Sequence, residues 1–237
     1  MIKFVCNDYN EMSRLAAEIV AGQITAKRDS VLGLPAGSTP VGMYMELVKK
    51  KLDYKNIIAF NLGEYYPISK RNNLSYYNLL HEIFFNKINI RRENIRLFDG
   101  ETSDPDEECR KFEEDINRAG GLDLIVLGIG SNCHIGFNEP SDKLVLGTHV
   151  NDLTPRTIKE SSKFFATPEE TPRRSMTMGM GTIFAAKKIL LLANGSNKAD
   201  AVAQMFSGRI STRCPATLLN LHHDVTIILD SAAAAKI

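Results

Sequence analysis

Residues 122–140 read LDLIVLGIGSNCHIGFNEP. The first half is a continuous apolar run, not an alternating one, which is the pattern of a strand buried on both faces of a parallel sheet. The second half packs two further glycines, His134 and Glu139 into a short stretch that ends at Pro140. This is not a dinucleotide fingerprint. The third glycine of G-x-G-x-x-G is missing, and no uninterrupted helix follows.

Four more apolar runs surround it: VLGLP (31–35), IIAFNL (57–62), KILLLAN (188–194) and VTIILD (225–230). Between them lie helical patterns in PVGMYMELVKKKL (40–52), SYYNLLHEIFFNKI (75–88), DPDEECRKFEEDINRA (104–119) and NKADAVAQMFSG (197–208), the last with Gly208 as its stop. Strands alternating with helices predict an α/β doubly wound domain with a mostly parallel sheet over residues 1–237. The stretch 140–175 has four prolines and weak periodicity, and it reads either as a connector or as a lid over a cleft.

Lys and Arg total 29 against 28 Asp and Glu, which removes the electrostatic case for a nucleic-acid or membrane partner. The four cysteines lack metal-site or redox spacing and read as free thiols of a cytoplasmic protein. The opening MIKFVCNDYNEM lacks a signal-peptide pattern, and no apolar run approaches the roughly 20 residues of a membrane span. No metal cluster is visible, because neither His81 nor His222 and His223 have partners at ligand spacing.

In parallel sheets ligands bind beyond the carboxyl ends of the strands, so the segments that follow each run matter most. After VLGLP, Gly37, Ser38 and Thr39 offer successive amides and two hydroxyls before a helix. That suits either an ordinary capped turn or a phosphate cradle. After KILLLAN, Lys198 stands near a helix start, where the dipole disfavours a cation unless an anion is shared. In the opening stretch Glu139 can orient His134, and an oriented imidazole is a suitable general acid/base. After IIAFNL the nearest carboxylate is Glu64.

Taken together, LGLPAGSTP, FNLGEYYPI, LGIGSNCHIGFNEP, MTMGMGTIFAAKKILLLANGSNKADAV and PATLLNLHHDVTIILD resemble the glucosamine-6-phosphate deaminase (isomerase) family, over about residues 3–232. The H-I-x-F-N-E-P element carries most of that resemblance and favours the amino-sugar branch over the 6-phosphogluconolactonases that share the fold. The resemblance implies a three-layer, Rossmann-type fold. It also implies a cofactor-free hydrolase and isomerase of amino-sugar metabolism and N-acetylglucosamine catabolism, converting glucosamine 6-phosphate to fructose 6-phosphate and ammonia. Gly37, Ser38, Thr39, Lys198 and Lys163 would hold the phosphate. His134, with Glu139 and Asn132, would open the sugar ring.

Three positions depart from the family pattern. Gly63 stands where the family has its proton-shuttling aspartate, Asn132 where some members have aspartate, and Cys133 where glycine is usual. Two alternatives therefore stay open: an impaired homologue that still binds sugar phosphate, and an enzyme for galactosamine 6-phosphate. Some members are hexamers with an allosteric arginine and lysine. This chain has His149 and Asn151 there, which leaves monomer or homo-oligomer undecided.

Overall fold

The computed structural model describes residues 1–237, the side chain of Pro168 excepted. The chain opens with β1 (Ile2–Cys6), α1 (Tyr9–Ala26), β2 (Val31–Leu34) and α2 (Val41–Lys49). It continues through β3 (Ile58–Asn61), β4 (Gly63–Tyr66), α3 (Tyr76–Ile83), β5 (Ile95–Arg96), α4 (Pro105–Arg118) and β6 (Leu124–Gly128). The remainder is β7 (His149–Asp152), α5 (Pro155–Ser161), β8 (Arg174–Thr177), α6 (Met180–Phe184), β9 (Ile189–Ala193), α7 (Ala199–Met205) and β10 (Val225–Asp230).

Seven strands form one sheet in the order β1-β10-β9-β6-β2-β3-β5, with every recorded pair parallel. Successive residues point to opposite faces, so each central strand feeds two cores. Ile125, Leu127, Leu191, Ile227 and Leu229 enter one, while Leu124, Val126, Leu190, Leu192 and Ile228 enter the other. Helices cover both faces, and the α/β doubly wound reading of the continuous runs holds. Gly33 is fixed by the sheet itself: a Cβ there would meet Ile125 Cγ1 at 2.7 Å.

The helices begin where local chemistry places them. Asp8, Ser75, Asp104 and Thr154 each accept the amide three residues on, and Pro105 and Pro155 occupy first turns. Helix α1 buries Met12, Ala16, Ala17, Val20 and Ile24, an i, i+4 stripe against the sheet. Among the described residues no helix is long and apolar enough to cross a membrane.

A second, antiparallel sheet, β4-β8-β7, was not anticipated from the sequence. Its strands are four residues each and half polar, so no run announces them. The chain passes from the large sheet to the small one at Asn61. That buried side chain donates to Gly63 O (2.9 Å) and accepts from Phe98 N (3.1 Å), which ends the IIAFNL strand one residue short of Leu62. Within residues 140–175, β7 pairs with β8, and α5 follows it to stand over the strand ends.

Candidate active site

The carboxyl ends of β2, β6 and β9, with the start of β4, surround a cleft of about 470 Å³. Gly37, Ser38, Thr39, Gly63, His134 and Lys198 all line it.

The cradle at residues 37–39 is built and braced. Gly37 has φ +117°, a conformation open chiefly to glycine. Tyr9 on α1 donates its hydroxyl to the carbonyls of Ser38 (3.2 Å) and Thr39 (3.1 Å) and accepts from Gly42 N (2.8 Å). Thr39 Oγ1 donates to Asn194 Oδ1 at 2.7 Å, tying the loop after β2 to the loop after β9. Helix α2 begins at this loop with no side-chain cap, and its first two amides are taken up locally, Val41 N by Ser38 O (3.4 Å) and Gly42 N by the Tyr9 hydroxyl.

His134 sits on Gly130, and the fit is strict. A Cβ on Gly130 would lie 2.5 Å from the imidazole ring. His134 Nδ1 is buried without a hydrogen bond, its nearest charge partner being Glu139 Oε1 at 3.6 Å. Glu139 is buried and fully dressed: it accepts from Asn132 Nδ2 (2.7 Å), Thr154 Oγ1 (3.2 Å) and Thr157 Oγ1. Burial pushes this carboxyl up, but His134, Thr157 and Asn132 outweigh it and hold it below its ordinary range. Asn132 Oδ1 also accepts the His134 amide at 3.2 Å. The five groups act as one unit: an ionised carboxylate, fixed by three donors, facing the buried edge of an imidazole whose residue lines the cleft.

Cys133 has φ +73°, so the position does require the left-handed conformation that glycine adopts freely. Its side chain is turned away from the cleft into the core, where the thiol meets Cys214, Ala201 O (3.9 Å) and Gln204 Oε1 (3.7 Å). The hydrogen bond with Cys214, together with burial, pushes the Cys133 thiol up, which keeps it neutral and unreactive. The cost of a cysteine here therefore falls on the backbone.

Gly63 lines the cleft, and Glu64 does not. The Glu64 carboxylate is fully buried on the other side of β4 and accepts the amides of Tyr65 (2.9 Å), Tyr76 (2.9 Å) and Tyr77 (2.7 Å). Burial raises its pKa to about 7 against those three donors. It anchors the start of α3 to the small sheet.

The two cations expected at the phosphate end part company. Lys198 lines the cleft, whereas Lys163 is exposed and lies outside the lining. α5 instead presents Glu160, which accepts from Ser131 Oγ at 2.5 Å and pairs with Arg156 at 3.4 Å. Thr154 caps α5, and its service to Glu139, fifteen residues away, has no local signal in the sequence. Tyr9, Asn194, Ser131 and Glu160 carried no local signal, because each acts across a long stretch of chain. Among the described residues no three His, Cys, Asp or Glu side chains are grouped to hold a metal.

The chain matches the family described as glucosamine-6-phosphate isomerases/6-phosphogluconolactonase over residues 9–228. A protein of Thermoanaerobacter sp. (strain X514) named glucosamine-6-phosphate deaminase is 50% identical over 234 residues, covering 97% of this chain and 92% of that one. One of the same name from Clostridioides difficile (strain 630) is 47% identical over 237 residues, covering 98% and 95%. The solved structure of a monomeric glucosamine-6-phosphate deaminase superposes with a TM-score of 0.97 at 38% identity over the whole of both chains. A 6-phosphogluconolactonase from Leishmania guyanensis, at 20% identity and a TM-score of 0.79, shares the fold.

The expectation of a hydrolase is corrected by these relatives. Their names describe deamination and the family description describes isomerisation. Such chemistry shifts a proton between neighbouring carbons and releases an amine, rather than splitting an acyl or phosphate bond with water. By whole-length similarity in both sequence and structure, the chain belongs to the glucosamine-6-phosphate isomerase/6-phosphogluconolactonase family.

Proposed function

We propose that this chain binds glucosamine 6-phosphate and opens its ring, and that it converts it to fructose 6-phosphate and ammonia at a rate limited by the missing carboxylate at Gly63. The observation that carries this reading is the placement of the Asn132–Glu139–His134 unit across one cleft from the Gly37–Thr39 cradle and Lys198.

The phosphate sits on the cradle amides with the Lys198 ammonium beside it, which orients the sugar toward His134. His134, its buried edge facing the ionised Glu139, relays a proton between the anomeric hydroxyl and the ring oxygen, and the ring opens. The next step needs a base that takes the proton from C2 and returns it at C1, which leaves an imine at C2 that a water molecule hydrolyses to the ketone as ammonia departs. Gly63 has no group for that task, and Glu64 faces away under three amides. A general base of this kind is typically worth about 100- to 10,000-fold. α5, lying over the cleft within residues 140–175, acts as its cover, and the chain works as one unit in the cytoplasm.

A second reading, a sugar-phosphate-binding homologue without turnover, is favoured by that same face of Gly63. The two separate in one experiment: ammonia and fructose 6-phosphate release from glucosamine 6-phosphate, beside calorimetric binding of the same compound. Binding with slow turnover supports the first reading. Binding with turnover indistinguishable from buffer supports the second, and no binding sinks both. Galactosamine 6-phosphate in the same panel tests the choice of epimer.

A further inference from the structure

Among the described residues, Glu160 is the one carboxylate that lines the cleft. It comes from α5, where Arg156, one turn earlier, touches it at 3.4 Å from the solvent side. On the inner side Ser131 Oγ donates to the same Oε1 at 2.5 Å, which joins α5 to the histidine loop. Lys198 shares the cleft wall and has no ion pair within contact distance among the described residues. Burial holds the Lys198 pKa down, and the opposing charge that acts on it is that of Glu160. The cleft thus holds one cation and one anion where a phosphate dianion is to be seated.

We infer that Glu160 is a specificity-determining residue for the anionic end of the ligand: it stands as the counter-charge of Lys198 in the free chain and sets how weakly the cleft holds a phosphate. The inference rests on the sugar-phosphate reading of the same site. Its physical basis is a like-charge juxtaposition. A phosphate that enters the cleft lined by Lys198 meets the Glu160 carboxylate there; that side chain is itself 42% exposed, so water screens part of the repulsion. Arg156 compensates little, because its side chain is 59% exposed and screened by water. Ser131 holds the carboxylate in place, so it does not simply swing away.

The test is calorimetric binding of glucosamine 6-phosphate, inorganic phosphate and free glucosamine to the full chain and to its Glu160→Gln, Glu160→Ala and Glu160→Asp variants. Each variant's fold is checked by circular dichroism. Glu160→Gln and Glu160→Ala are expected to tighten both phosphate-bearing ligands by about 2- to 5-fold and to leave glucosamine unchanged or weaker, with Glu160→Asp close to the parent. Where turnover is measurable, KM falls while kcat stays within a few-fold, a split that a purely structural effect does not produce.

If glucosamine 6-phosphate binds the parent and Glu160→Gln leaves it equal or weaker, the inference is overturned while the sugar-phosphate reading stands. Should glucosamine 6-phosphate bind none of the proteins, with inorganic phosphate still tightened by Glu160→Gln, the charge opposition stands and the sugar reading falls. Absence of binding by any phosphate ligand overturns both.

Discussion

Glu64 follows Gly63 directly in β4 yet faces the opposite side of the strand: Gly63 lines the cleft, while the Glu64 carboxylate lies beneath it, accepting the amides of Tyr65, Tyr76 and Tyr77. The alternation of side chains along a strand makes this unavoidable without a bulge. A carboxylate one residue away in sequence is therefore no replacement for one at position 63.

Reinstating that carboxylate has a steric cost. A Cβ at Gly63 would meet the Met176 carbonyl oxygen at 2.6 Å and Phe137 Cδ2 at 2.9 Å, so β4 must shift away from β8. We expect Gly63→Ala to destabilise the fold by about 1–3 kcal/mol. Gly63→Asp should show a similar loss but raise ammonia release by at least about 100-fold. Urea unfolding and turnover, measured on the same preparations, check the pair. An aspartate variant that is as stable as the parent shows that the strand yields freely.

Glu64 makes stability fall as pH rises through a defined window. Its pKa in the fold is raised to about 7 from an ordinary 4.5, so between those values the folded chain keeps a proton that the unfolded chain has lost. Stability from this group is thus greatest below pH 4.5 and declines until pH 7, by on the order of 1–3 kcal/mol in all. Glu64→Gln removes this slope. The difference in urea midpoint between the two proteins should move in favour of the glutamine form from pH 5 to pH 7. A difference that stays flat contradicts the assignment.

Cys133 is expected to tolerate glycine where an ordinary buried cysteine does not. At φ +73° the loss of the side chain is offset by relief of the left-handed strain, each about 1 kcal/mol. Cys109, on the buried face of α4, has no such relief and also carries the helix penalty of glycine. Cys109→Gly should therefore cost about 2 kcal/mol more than Cys133→Gly in chemical denaturation.

Lys198 and Lys163 divide by position. Lys198→Ala is expected to weaken glucosamine 6-phosphate binding by at least about 10-fold, since the half-buried cation of the cleft is lost. Lys163→Ala, at an exposed site outside the cleft, should change it less than twofold. Equal effects in calorimetry would place the phosphate elsewhere.

Gly130→Ala probes His134 without touching it. The added methyl falls 2.5 Å from the imidazole, which must tilt from Glu139. Turnover should drop by at least about 100-fold, with the His134 proton resonances displaced while those of His222 stay in place.

Much of the large sheet could be read directly from the chain, because burial on both faces demands unbroken apolar residues and no polar loop imitates LIVLG or ILLLA. The loop at Gly37–Thr39 and the pairing of His134 with Glu139 were also legible, since each is local or belongs to a distinctive segment. At position 133, where glycine is usual, the backbone is left-handed. Tertiary structure alone decided which way side chains face once they leave a strand. It placed Glu64 under the tyrosine amides, turned Lys163 to solvent, and set Glu160 against Ser131, twenty-nine residues away. It also assembled β4, β8 and β7, whose mixed sequences become strands only because they pair with one another. Periodicity reports how deeply a segment is buried. The partner of a charged side chain depends on segments brought together by folding, and no spacing within a single segment encodes it.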